Sequence, residues 1–240
     1  MLLTANRRFA FSASRRLAQE GWSDAENERV WGAGGEREWG SGENYSAHLV
    51  LTGSLDPVIG MLVNLTAAKA AFSPVVDGEL DHKFLNLDTP GFDRTPPTPE
   101  NVAGYLLQRA LHVGRDLGAP VVAVHLQESE LTGATAFANG RTEREWWIDF
   151  SAARVTRSPH LSEAENEALF GRAASPLGHG HGYRLRVTLA GPVDAATGLI
   201  ASHWRVADQL GELFRMLDHR NLNQEVAALA RQPVTTENIA

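Results

Sequence analysis

Apolar and polar residues trade places along several stretches of the chain, most plainly at Tyr183, Leu185, Val187 and Leu189. This period of two belongs to a strand with one buried face. Strands are predicted over 4–14, 45–53, 148–156 and 183–190, with two shorter ones at 121–126 and 134–137. A different period appears in residues 64–76, where alanines and Lys69 recur at helical spacing. The sharpest helix signal follows Thr98, an N-cap residue with Pro99 at the first helical position and Glu100 in the first turn. Val102, Leu106, Leu107, Ala110 and Leu111 then fall on one face. A further helix is expected over 202–216, with Trp204, Ala207, Leu210, Leu213 and Phe214 as its apolar stripe. The order β-β-α-α-β-β defines an α+β unit, an antiparallel sheet with two helices on one face.

That pattern occurs twice. Phe11-Ser-Ala matches Phe150-Ser-Ala at an offset of 150 − 11 = 139, and Gly53, Asp56 and Gly60 match Gly191, Asp194 and Gly198 at 191 − 53 = 138. Leu80-Asp81-His82 matches Leu217-Asp218-His219, and Thr98-Pro-Glu100-Asn101 matches Thr235-Thr-Glu237-Asn238, both at 219 − 82 = 137. An ordered set with two small shifts in register is a tandem duplication. The expected division is 1–140 for the first repeat and 141–240 for the second. Counted in this register, Ala240 corresponds to Ala103, so the second repeat is expected to lack its last helix and strands. Either the chain is a fragment or another subunit covers that surface.

Composition narrows the function. A net charge of −7 without a basic run argues against a nucleic-acid surface. The absence of cysteine removes disulfides, thiolate metal sites and a Cys nucleophile. No apolar run approaches a membrane span or a signal peptide, so a soluble cytoplasmic protein is expected.

Candidate chemistry centres on His179 and His181 in LGHGHGYRLR. Residues i and i+2 of a strand share a face, so the two imidazoles would project side by side as two ligands of one zinc ion; a polar turn is the competing reading. The paired Asp81-His82 and Asp218-His219 offer a carboxylate that fixes a histidine tautomer for general-base work, or simply a cation at a helix C-terminus. Glu100 and Glu237 read as first-turn helix acids. The tryptophans read as core, interface or loop residues, and WGAGGEREWGSG lacks the spacing of a phosphate loop.

FSA near the start, HGHGY before a strand, LDH with LN two residues on, and T-x-E-N opening a helix together resemble the 6-pyruvoyl-tetrahydropterin and 6-carboxy-tetrahydropterin synthase family, whose fold is the T-fold. The resemblance implies a lyase acting on dihydroneopterin triphosphate or a related pterin, at a zinc held by one histidine of an FSASH-like motif and two of HGH. It implies Asp81, His82, Asp218 and His219 as catalytic residues, and Thr98, Glu100, Glu128, Thr235 and Glu237 as substrate contacts. It also implies a homo-oligomeric ring of T-fold units in which Asp-His of one unit faces HGH of the next.

The pattern is kept only in part. His179 and His181 match HGH, but the FSASH histidine falls on Arg154, and in the first repeat the three ligand positions fall on Arg15, Ser41 and Glu43. Ala173 stands where the family's cysteine would be. An arginine has no lone pair for zinc, so a third ligand has to come from elsewhere, with His160, His48 or a neighbouring copy as candidates. A guanidinium at each vacated position could bind substrate phosphate, replace the metal's charge or form an ordinary salt bridge. Two functions are therefore expected: a pterin lyase, zinc-assisted if a third ligand exists, or a catalytically reduced pterin-binding or assembly subunit.

Overall fold

The computed structural model describes residues 2–33 and 39–240, so part of WGAGGEREWGSG lies outside the described residues. The chain forms two compact units, Met1–Trp146 with Val187–Arg205, and Trp147–Arg186 with Val206–Ala240.

In the first unit, β1 (Leu3–Arg15) and β2 (Ser41–Gly53) pair antiparallel along their whole length, from Leu3 opposite Gly53 to Arg15 opposite Ser41. Their connection contains a helix the alternation did not predict, α1 (Asp24–Trp31). Its start is a capping box: Ser23 accepts from the Glu26 amide, and the Glu26 side chain accepts from the Ser23 amide. Helix α2 (Leu65–Glu79) is capped by Asn64. A two-residue strand β3 (Lys83–Phe84), parallel to β1, and a single turn α3 (Leu85–Asp88) precede α4 (Pro99–Asp116), capped by Thr98 as the sequence predicts. Strands β4 (Val121–Ser129) and β5 (Thr132–Phe137) extend the sheet from β2. Phe9, Phe11, Tyr45, Leu49 and Leu51 of the sheet bury against Phe72 and Val76 of α2 and Val102, Leu106 and Ala110 of α4. Each such large side chain contributes about 1.5–3 kcal/mol on leaving water.

Strand β6 (Thr142–Arg154) starts earlier than the predicted 148–156, pairing with β5 through Thr142–Trp146. Glu143, Arg144 and Glu145 hid this extension, since charged residues there mask the alternation. In the second unit, α5 (Glu163–Phe170) and a 3-10 turn over 171–174 lead to β7 (His179–Ala190). Helix α6 (His203–Leu217), β8 (Arg220–Asn221), α7 (Leu222–Glu225) and α8 (Thr236–Ile239) follow. Here β8 runs parallel to β6 as β3 does to β1. Ser162 and Glu165 repeat the capping box of α1, and Phe150 stacks on Tyr183 at 4.9 Å as Phe11 does on Tyr45. Phe150, Ala152, Leu217, Leu222, Val226, Leu229 and Val234 form this unit's core.

The apolar stripe of α6 differs from expectation. Val206 and Leu217 are buried and Leu213 packs on the core, whereas Trp204 and Phe214 remain 39% and 38% exposed. The helix turns its 206, 213 and 217 positions inward, and the Trp204 ring instead lies 4.6 Å from the Arg29 guanidinium. Among the described residues no helix is long and apolar enough to cross a membrane.

Candidate functional site

The two Asp-His pairs are built by the same local rules. After α2, Asp81 accepts the Ser12 amide at 2.8 Å on one carboxylate oxygen, and its other oxygen meets His82 Nδ1 at 2.8 Å. The His82 amide donates to the Ser12 carbonyl at 2.7 Å. After α6, Ser151 gives Asp218 its amide at 2.9 Å, His219 Nδ1 lies 2.7 Å from Asp218, and the His219 amide donates to the Ser151 carbonyl. Both histidines take left-handed backbone, φ 56° and 55°, the only described non-glycine residues to do so. A left-handed residue without glycine's freedom costs about 1–3 kcal/mol, offset here by the amide and carboxylate bonds that hold it. With the carboxylate accepting at Nδ1, the neutral ring keeps its proton there and its lone pair on Nε2. The Ser12 and Ser151 amides hold Asp81 and Asp218 below the usual carboxylate range, with their histidines adding to the effect. His82 borders a groove of about 410 Å³ with Ser12, Ser14, Gly42 and Asn44; His219 borders one of about 450 Å³ with Ser151, Ala153, Gly180 and Gly182.

The strand expected over 183–190 starts earlier, so His179 and His181 lie in β7, ring centroids 4.8 Å apart, on the face that carries Tyr183. Arg154 lies close to them, donating to the Val234 carbonyl at 3.1 Å with its guanidinium 5.9 Å from the Tyr183 ring. Partial burial, then His181 and Arg154, push the His179 imidazole down. Zinc needs at least three protein donors, and a fixed cation beside two imidazoles repels a dication. His48 is bonded to Asn6 and Ser46 beside His125, and His160 is an exposed loop residue. Among the described residues no group of three His, Cys, Asp or Glu could hold a metal ion. The residues present do not fit a three-ligand zinc site. His181 lines the same groove as His219, although no hydrogen bond or ion pair joins Asp218 and His219 to the HGH histidines among the described residues. Ala173 lies in the 3-10 turn, its carbonyl taking the Thr156 amide. Thr235 caps α8, and its hydroxyl and Arg154 help hold Glu237 below the usual range, after a backbone amide.

The first unit gathers Thr98, Glu100 and Glu128 into one buried acidic pocket. Thr98 donates to the Gly198 carbonyl at 2.6 Å, and Glu100 accepts the Ile200 amide at 3.3 Å while its second oxygen has no hydrogen-bond partner among the described residues. Glu128 is held between two guanidinium groups, Arg15 on one oxygen and Arg144 on the other at 3.0 Å. Arg15 also donates to the Pro97 carbonyl at 2.9 Å. Burial pulls both arginines down from their ordinary value; Tyr45 foremost pulls Arg15 back up, and Glu100 foremost pulls Arg144 back up. Sequence reasoning missed Arg144 and the amide of Ile200. Arg144 lies in the part of β6 whose alternation its charged neighbours mask, and a backbone amide leaves no sequence signal.

A tandem α+β protein whose repeats each pair an Asp-His with a two-strand FSA element defines a T-fold pterin-synthase architecture. The family model for 6-pyruvoyl tetrahydropterin synthase matches residues 4–139 and again 145–240, so the chain belongs to that family and carries it twice. Among curated relatives, a 6-pyruvoyl tetrahydrobiopterin synthase of Drosophila melanogaster is 39% identical over 92 residues, 38% of this chain and 55% of the relative. The human 6-pyruvoyl tetrahydrobiopterin synthase is 40% identical over 94 residues, 39% of this chain and 65% of its own length. The chain thus spans 55% to 65% of these two relatives. A solved structure of Caenorhabditis elegans 6-pyruvoyl tetrahydropterin synthase is 34% identical, covers 54% of this chain and 91% of that one, and superposes with a TM-score of 0.49.

Proposed function

We propose that the chain is an enzyme of pterin biosynthesis, a lyase of the 6-pyruvoyl/6-carboxy-tetrahydropterin synthase type acting on dihydroneopterin triphosphate or a related pterin. The observation that carries this reading is the pair of Asp-His dyads, each with a left-handed histidine whose Nε2 is free to take a proton. A tautomer fixed by a carboxylate, on a side chain 84% or 81% exposed at the edge of a groove, suits general-base work on a substrate side chain as triphosphate departs. Thr235 and Glu237 of the second repeat are the pterin contacts in this reading, and Thr98, Glu100 and Glu128 mark the corresponding pocket of the first. Zinc assistance at His179 and His181 requires a third donor beyond the described residues. The reading includes a cytoplasmic ring of T-fold units, with Asp-His of one unit facing HGH of another.

A second reading, a pterin-binding or assembly subunit with reduced catalysis, is favoured by Arg154 at the third ligand position and Ala173 at the cysteine position. Incubating the purified chain with dihydroneopterin triphosphate separates the two. Triphosphate release abolished by His82→Asn with His219→Asn supports the enzyme; binding without release in the unaltered chain supports the subunit.

A further inference from the structure

The acidic pocket of the first unit is already filled by the chain itself. Glu128 and Arg15 are 8% and 7% exposed, and the arginine comes from the β1 position opposite Ser41. One terminal nitrogen of the guanidinium meets Glu128 and the other donates to the Pro97 carbonyl, so the group is held at two points around its planar edge. A guanidinium presents adjacent N–H donors on one sp² carbon, the same arrangement that the 2-amino and ring N–H groups of a 2-amino-4-oxopyrimidine present to a carboxylate. Glu100, 2% exposed, contributes a second carboxylate near the same guanidinium, with one oxygen bonded to the Ile200 amide and the other unpartnered. Arg144 fixes the far oxygen of Glu128 from the opposite side. Glu128, with one oxygen held by Arg144, therefore has its other oxygen occupied by the Arg15 guanidinium.

We propose that Arg15 is a built-in ligand: its guanidinium occupies a guanidinium-selective pocket formed by Glu128 and the Pro97 carbonyl, and closes the first unit to any external ligand bearing that edge. The identity of the excluded ligand as a pterin rests on the function proposed above; the guanidinium pocket does not. The first unit then serves as a permanently liganded partner domain, and ligand binding falls to the second repeat.

The test is chemical rescue in the full chain. Arg15→Ala opens a guanidinium-sized void beside Glu128. Methylguanidinium chloride at about four times its Kd is expected to raise the Tm of this variant by about 2–4 °C. Methylammonium chloride at equal ionic strength should not, and neither should methylguanidinium with the unaltered chain or with Arg15→Ala combined with Glu128→Gln. An Arg15→Ala chain that gains no methylguanidinium-specific rise overturns the proposal. So does Glu128-dependent binding of neopterin by the unaltered chain. Neopterin titration then separates the two ideas: one additional site per chain in Arg15→Ala supports both, while methylguanidinium rescue without neopterin binding by any variant supports the pocket and sinks the pterin reading. If Arg15→Ala does not fold, Arg15→Ser is refolded in each salt. Recovery with methylguanidinium alone supports the proposal, and equal recovery with methylammonium overturns it.

Discussion

His219 accepts a left-handed backbone so that its Nδ1 can reach the carboxylate of the residue before it, Asp218, at 2.7 Å. His82 and Asp81 do the same at 2.8 Å. Asparagine tolerates this backbone better than most residues but offers no basic nitrogen. His219→Asn is therefore expected to keep Tm within a few degrees while lowering turnover by about 10²–10⁴, the usual worth of a positioned base. A comparable loss of Tm and of turnover, measured side by side, would show that the histidine is only a structural cap.

Acid should act on the same element. Asp218 titrates below its ordinary 3.8 because the Ser151 amide, and then His219, favour the charged carboxylate. A depressed native pKa means stability present above the unfolded value and lost as pH falls through the native one. Asp218→Asn removes that dependence. The Tm of the variant should fall less than that of the unaltered chain between about pH 5 and about pH 2, read by circular dichroism at matched ionic strength.

Glu128 holds two buried arginines. Removing it leaves Arg15 and Arg144 as uncompensated charges, a change that costs about 3–5 kcal/mol at buried pairs. Glu128→Ala should thus lower the urea midpoint far more than Glu225→Ala, whose partner Arg220 is 48% exposed. Similar midpoints for the two variants would contradict the burial.

Gly60 and Gly198 stand at matching turns, φ 67° and 71°, each after an aspartate that accepts two turn amides. A Cβ at Gly60 meets nothing within 4 Å, whereas one at Gly198 would lie 2.5 Å from Asn101 Nδ2 and 3.0 Å from the Thr98 hydroxyl. Gly60→Ala should cost about 1–2 kcal/mol for the backbone alone. Gly198→Ala should cost more, because the clash also disturbs the Thr98 bond to the Gly198 carbonyl; differential scanning calorimetry of the pair decides it.

The parts of the fold legible in the sequence were those written in periodicity and caps. Thr98-Pro99-Glu100 opened α4 where expected, because N-cap preference and proline's fixed φ act locally. The repeat was legible because matching turns and Asp-His pairs recur in order. Helices α1 and α5 were missed although Ser23-x-x-Glu26 and Ser162-x-x-Glu165 are capping-box signatures; each helix is only 8 residues, too short to show a face. The engagement of Glu128 by Arg15 was not legible at all, since it joins residues far apart in sequence and depends on the β1–β2 register.

His179 and His181 are 4.8 Å apart, and the residue placed to complete their set is Arg154, which cannot donate a lone pair and whose charge opposes a dication. The unaltered chain is expected to keep well under one zinc per chain after dialysis. Arg154→His replaces the cation with an imidazole beside the other two, so zinc content should rise to about one per chain and fall again when His179→Ala and His181→Ala are added. Arg15→His should have no such effect, because Ser41 and Glu43 hold the other two positions in the first repeat. Mass-spectrometric metal analysis of these variants and the unaltered chain reads all of this directly. Stoichiometric zinc in the unaltered chain, lost with His179→Ala and His181→Ala, would mean that a third donor reaches the pair despite Arg154.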